Sequence, residues 1–208
     1  VCRFMPGENV ASALRESQQL NEIGIDTVVT HLGENVISMD EAQTATKHYL
    51  DALDTIRDGK LRTHVSVKLT QLGLDLDAGE TERKLDSVVT HAAALANVVW
   101  VDMEASSSCD ATLNIYRNIR AKHDNMGVCV QAYLHRTPDD LERLLSIGSA
   151  IRLVKGAYQE PPAVAMPKKS DVDAAFLKLA TRLAEDGAAG RNVKHGIATH
   201  DLEIIEEL

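Results

Sequence analysis

Short β-branched runs alternate with longer segments of helical spacing along this sequence, and that alternation constrains the fold more than any other feature. Strands are predicted at Thr27–Leu32, His64–Leu69, Val98–Asp102, Gly127–Ala132, Ile151–Lys155 and His195–Thr199. Between them, the segment 40–58 sets Ala42, Ala45, Tyr49, Leu53 and Ile56 on one helical face, and 81–96 does the same with Leu85, Val88, Val89 and Ala92. Residues 110–123 carry a weaker stripe of Leu113, Tyr116 and Ile119. Thr137 reads as an N-cap with Pro138 first in the helix, Leu141, Leu144 and Leu145 facing inward and Gly148 as the stop. The segment 171–187 carries Val172, Phe176, Leu179 and Leu183, and a helix over 8–22 precedes the first strand.

Strands that alternate with helices pair in parallel through right-handed crossovers, which makes this an α/β chain. An open doubly wound sheet and a (β/α) barrel both satisfy that pattern. Neither GxGxxG after the first strand nor GxxxxGK[ST] anywhere is present, so the usual nucleotide fingerprints of open sheets are missing. The barrel is favoured by the strand ends, which close in sequence on His31 and Glu34, Lys68, Asp102 and Glu104, Gln131, Lys155, and Thr199-His200-Asp201. In a barrel all of these tips converge on one mouth, where active sites are built. The expected architecture is therefore a (β/α)8 TIM-like barrel carried to about its sixth strand, with residues 1–208 forming a single domain incomplete at the C-terminus.

Composition narrows the partners. Lys and Arg number 22 against 31 Asp and Glu, a net charge of −9, and aromatics are 3%. Nucleic-acid binding is excluded on that balance, because a phosphate backbone must be met by clustered cations. The densest basic spot, Lys168-Lys169, reads as a solvated turn. Cys2, Cys109 and Cys129 show no CxxC spacing, and Cys129 sits in an apolar run as a small core residue. With no signal-peptide pattern at the start and no span of bilayer length, a cytoplasmic location is expected.

The strand-end residues suggest specific chemistry. Lys68, after VSV, is either a snorkelling lysine or an ammonium held for a substrate carboxylate or as an amine nucleophile. Asp102 and Glu104 share a face by strand alternation, and Asp102 is positioned to pair with Lys68. Without an accompanying His or Cys cluster they make a weak metal site. Gln131 offers an amide that can donate and accept along the edge of a heterocycle. Arg152 and Lys155 fall on opposite faces of a strict strand and share a site only if the chain flares at Gly156. As a pair they either stabilise negative charge on a ligand or form salt bridges with neighbouring carboxylates. Thr199-His200-Asp201 doubles as a cap for a last helix. His48, His91 and His123 fall on helices as surface or satisfied residues.

These strings together resemble the proline dehydrogenase family, flavoenzymes built on a distorted (β/α) barrel. The matching segments are THLGENV at 30–36, VSVKLTQLGLDLD at 65–77, VDMEASS at 101–107, VQAYLHRTPDDL at 130–141, IRLVKGAYQEP at 151–161 and IATHD at 197–201. The likeness is to the compact single-function bacterial type. It implies FAD as cofactor and oxidation of L-proline to Δ1-pyrroline-5-carboxylate, with electrons passed to a quinone or another acceptor. A quinone acceptor in turn implies peripheral contact with the inner face of the membrane.

By the family's motifs, Lys68 would contact the proline carboxylate with Asp102 beside it, and Tyr158 and Leu153 would pack near the proline ring and flavin. Gln131, Arg152 and Lys155 would bind flavin and its phosphates, Ala157 would touch the cofactor through its backbone, and Thr199 and His200 would hold its far end. Glu34 would pair with a late arginine and close the pocket. Fixed cations and an amide beside the flavin raise its electron affinity, and a lysine orients the substrate by its carboxylate. The substrate amine must be neutral when hydride leaves, so activity is expected to rise with pH until that proton is gone. The family's pattern continues into two more strands and a helix with an RRxxE arginine pair, which this sequence does not contain. Two other readings fit the residues alone: a Schiff-base lyase using Lys68 or Lys155, and a non-catalytic fragment that binds flavin or forms homo-oligomers through exposed sheet edges.

Overall fold

The computed structural model describes residues 9–189 and 195–208; Cys2, and Glu8 at the expected start of the first helix, lie outside them. The strands follow chain order, β1-β2-β3-β4-β5-β6. The chain divides into two compact units, one formed by the chain up to Trp100 with Ala121–Asn125, the other by Val101–Arg120 with the chain from Met126 onward.

In the first unit, α1 (Val10–Glu22) leads into β1 (Thr27–Thr30), α2 (Met39–Asp58), β2 (Thr63–Val67) and α3 (Ala78–Ala94). β1 and β2 run parallel with Thr27 opposite Thr63 and Thr30 opposite Ser66. Each helix starts where a polar side chain can take an orphan N–H: Asn9 accepts from Ser12, Ser38 from Glu41 and Asp77 from Glu80. The inward faces match the periodicity. Ala42, Ala45, Tyr49, Leu53 and Ile56 are buried on α2, and Leu85, Val88, Val89 and Ala92 on α3. Each of the leucine, isoleucine and valine side chains among them, fully withdrawn from water, stabilises the fold by roughly 1.5–3 kcal/mol before entropy is counted. His91 and His123 are satisfied by Asp54 and Asp86 at 3.1 and 3.2 Å.

The third strand, β3, is only Val99–Val101. The second unit then holds α4 (Cys109–Arg120), β4 (Met126–Gln131), α5 (Thr137–Ser146), β5 (Ala150–Val154), α6 (Lys169–Ala188), β6 (Gly196–Ile197) and α7 (Leu202–Glu207). β4 and β5 are parallel with Cys129 opposite Arg152, and β5 and β6 are parallel with Leu153 opposite Ile197. Leu113, Tyr116 and Ile119 are buried on α4, Leu141, Leu144 and Leu145 on α5, and Phe176, Leu179 and Leu183 on α6; Val172 is half-buried.

Three local expectations are corrected. Thr137 is the first residue of α5 rather than its cap, and Arg136 takes the cap position. The Thr137 hydroxyl is turned back to donate to the Gln131 carbonyl at 2.5 Å, so it ties the helix to the end of β4 instead of capping an N–H. Lys168-Lys169 is no free turn: Lys168 is the cap position of α6, and Lys169 begins the helix with an ion pair to Asp173. The strands also end earlier than their apolar runs suggest. Asp102 and Glu104 lie beyond β3, so strand alternation does not pair them; Glu104 is buried, and Asp102 lines a cavity.

Candidate active site

Two residues apart on a strand means one face, and in the second unit that rule builds one wall of a cavity. Cys129 and Gln131 of β4 and Arg152 and Val154 of β5 all line it, and the register sets Cys129 beside Arg152 and Gln131 beside Val154. The cavity is about 640 Å³, within the range of small-molecule and cofactor sites. Leu153, on the alternate face, is fully buried and is not among the lining residues.

Alternation would send Lys155 away as well, but β5 stops at Val154 and the chain turns at Gly156, whose φ is +112°. A Cβ on Gly156 would stand 2.2 Å from Cδ1 of Tyr133, so only glycine lets the backbone pass over that ring. Because of this turn, Lys155, Gly156, Ala157 and Tyr158 continue the lining that Arg152 began. Past β6, Thr199, His200 and Asp201 complete it.

The loop bearing Tyr158 is secured within the same unit. Glu160 accepts from the Ser106 N–H at 2.7 Å and from its hydroxyl at 2.6 Å, and these bonds hold the Glu160 carboxyl below the usual range. Further on, Leu134 bridges Ala165, and the Met166 N–H donates to the Tyr133 carbonyl at 2.8 Å.

Charge in the cavity is paired. Arg152 Nη2 bonds Asp102 Oδ1, and Lys155 Nζ donates to Asp173 at 2.5 Å and Asp201 at 2.9 Å. Burial opposes the Lys155 charge, but the two carboxylates together outweigh it and hold the ammonium above its ordinary range. An ammonium so held is a poor Schiff-base nucleophile. Asp201 takes the cap position of α7 without making a side-chain cap bond, its carboxylate being committed to the lysines. Gln131 Nε2 donates to the Met103 carbonyl at 3.1 Å, while its Oε1 is buried with no hydrogen-bond partner. Burial pushes the Cys129 thiol up, so this lining cysteine is an inert thiol rather than a nucleophile.

Eight of the residues singled out from the sequence therefore share this cavity: Asp102, Gln131, Arg152, Lys155, Ala157, Tyr158, Thr199 and His200. Lys68 and Glu34 belong to the first unit. Lys68 follows β2 directly, half-buried, and its charge contributes to lowering His31, where burial is the larger cause and His48 the second. Glu34 is exposed and lines a separate pocket of about 390 Å³ with His31, His48 and Gln71. Gln71 secures that loop, donating to the carbonyls of His31 at 2.8 Å and Gly33 at 2.6 Å while accepting from Tyr49 at 2.7 Å.

Met103 and Asp173 went unnoticed in the sequence. Asp173 had one legible signal, its four-residue spacing from Lys169 on a helix. No group of three or more His, Cys, Asp or Glu among the described residues is placed to hold a metal ion, and none of their helices is long and apolar enough to cross a membrane.

Residues 13–207 match the family described as proline dehydrogenase. The chain is 36% identical over 204 residues to proline dehydrogenase 2 of Bacillus subtilis and 33% identical over 203 residues to proline dehydrogenase 1 of the same organism, in each case over 98% of its own length. It spans 66% of the length of those relatives. Among solved structures it superposes on proline utilization A (PutA) from Bdellovibrio bacteriovorus inactivated by N-propargylglycine with a TM-score of 0.87 at 21% identity, covering 98% of this chain and 26% of that one. PutA of Bradyrhizobium japonicum gives a TM-score of 0.80, also at 21% identity, over 97% of this chain and 24% of that one. These likenesses establish a fold of the (β/α) barrel class, carried here through six strands.

Proposed function

The chain belongs to the proline dehydrogenase family, and from that premise we propose that it carries the cofactor site of an FAD-dependent enzyme oxidising L-proline to Δ1-pyrroline-5-carboxylate. The observation that carries this is the buried Oε1 of Gln131, an acceptor with no partner on a cavity wall. Leaving such an atom unmet costs about 1–3 kcal/mol, and the N–H edge of a flavin ring is a donor that would meet it.

In this reading Gln131 and Arg152 hold the ring, Ala157 meets the cofactor through its backbone, and Lys155, Thr199 and His200 attend its far end. Bound FAD supplies the two-electron acceptor for hydride leaving the carbon beside the substrate amine. Arg152, fixed by Asp102, keeps a permanent positive charge where negative charge develops. Tyr158, held by the Glu160–Ser106 contact two residues on, excludes water beside the proline ring. Lys68 orients the substrate carboxylate, and Glu34 closes the pocket around it. Leu153, buried on β5, packs with Tyr158 near the proline ring and flavin.

The same reading takes residues 1–208 as one domain, delivers electrons to a quinone or another acceptor, and sets the enzyme in the cytoplasm with peripheral contact to the inner face of the membrane. Its unpaired sheet edges give a route to homo-oligomers. A visible absorption spectrum before and after adding proline tests the proposal. Flavin bands that bleach on addition of proline support it. A colourless protein that takes up no flavin and reduces no dye with proline refutes it.

A further inference from the structure

Lys155 sits in a closed ring of alternating charge. Its Nζ lies 2.5 Å from Asp173 Oδ1 and 2.9 Å from Asp201 Oδ2, and Lys169 Nζ closes the other side at 2.5 Å from Asp173 Oδ2 and 3.3 Å from Asp201 Oδ2. Two ammonium groups and two carboxylates cancel. An ammonium has three N–H donors, and Lys155 has committed two of them to these carboxylates, so an anion in the cavity meets a neutralised cation with little left to give.

What the ring does join is three pieces of backbone: the end of β5, the first turns of α6 and the cap position of α7. The third piece needs support. β6 is only Gly196–Ile197, paired with Arg152 and Leu153, and its ladder ends in the bond from Ala198 N to the Leu153 carbonyl at 2.9 Å. Beyond it the Asp201 N–H donates to the Thr199 hydroxyl at 3.1 Å, a contact that folds the segment on itself without anchoring it to the sheet. Buried Ile204 packs α7 into the unit, and the Asp201 carboxylate on Lys155 ties the start of that helix to the end of β5.

We infer that Asp201 and Asp173 are positioning residues: with Lys169 they make Lys155 a strut that fixes Thr199 and His200 on the cavity wall, so that Lys155 serves a bound dinucleotide through that segment and not as a bare counter-ion for its phosphates. This rests on the flavin-site reading above. The two roles give opposite signs when a carboxylate is neutralised. Removing the Asp201 charge frees a counter-ion and tightens binding, whereas removing it from a strut loosens the segment and weakens binding.

The apoprotein of wild type, Asp201→Asn, Lys155→Met and the double variant is titrated with FAD and with riboflavin, following flavin fluorescence. Asp201→Asn is expected to bind FAD about tenfold more weakly, the worth of one charge-assisted hydrogen bond, with riboflavin affinity nearly unchanged because it lacks the far end. Lys155→Met is expected to add little once Asp201 is changed. Should Asp201→Asn not fold, Asp173→Asn breaks the same ring from α6 and must shift FAD affinity in the same direction. FAD affinity unchanged or tighter in the folded variants overturns the strut, as does an equal loss for both flavins. A wild type with affinity for neither flavin overturns the flavin-site reading itself, and the strut with it.

Discussion

Asp102, just beyond β3, and Arg152, in β5, are bound to each other on the cavity wall, the carboxylate 17% and the guanidinium 19% exposed. The pairing holds the guanidinium in place on that wall. Arg152→Met deletes the fixed charge and leaves Asp102 without this bond. Flavin occupancy is expected to fall and the flavin potential to become more negative, with kcat down roughly a hundredfold in whatever flavin-loaded fraction remains. Spectroscopic titration and turnover, normalised to bound flavin, check both parts.

Lys68 lies just past β2 in the first unit. If it orients the substrate by its carboxylate, Lys68→Met should raise the KM for proline about tenfold or more, the scale of one charge-assisted hydrogen bond. Flavin content should stay unchanged. Steady-state kinetics beside the absorption ratio at the flavin and protein bands separate the two. An unchanged KM would contradict the role.

The sequence disclosed the elements and most of the wall, and its failures have physical causes. Burial periodicity on α2, α3 and α5 reads directly because each packs one apolar stripe. Gln131, Lys155 and Thr199 were visible because polar residues follow the apolar strand runs. Leu153 falls on the face opposite Arg152, as alternation along β5 requires, and is fully buried there. The partners of Lys155 were not legible. Asp173 and Asp201 are 18 and 46 residues away, brought in only when α6 and α7 dock, and no local spacing encodes that. Thr137 deceived for a similar reason, since its hydroxyl follows a tertiary acceptor in preference to the cap.

Gly156 gives a prediction independent of any ligand. Gly156→Ala adds a Cβ 2.2 Å from the Tyr133 ring at a backbone φ of +112°. The positive φ alone costs an L-residue about 1–2 kcal/mol, and forcing the ring aside adds roughly 1–3 kcal/mol. For a chain of this size the midpoint of thermal unfolding should fall by about 5 °C or more. The Ala157–Tyr158 segment should shift with it, lowering flavin affinity as well. Calorimetry and flavin titration report the two effects separately; a variant with wild-type melting would show that the chain passes Tyr133 less closely.

Acid should open the Lys155–Asp201 contact in a defined window. Bonds to Lys155, and then to Lys169, hold the folded Asp201 carboxyl down at about 2, well below its unfolded value near 4. Between those two pH values the unfolded chain binds a proton that the folded chain does not, so stability falls as pH falls through the window. Above about pH 4 the contribution is fully present and stability is insensitive to this group. Asp173 is lowered by the same two lysines and steepens the loss. Glu160, lowered by its bonds to Ser106, contributes in the same direction. Melting temperature measured from pH 6 down to pH 2 should therefore drop most steeply below pH 4 in the wild type. Asp201→Asn should be less stable at pH 6 yet show a shallower decline, the two curves approaching one another near pH 2. Parallel curves would mean that Asp201 titrates alike in the folded and unfolded chains, and that its bond to Lys155 contributes nothing to the fold.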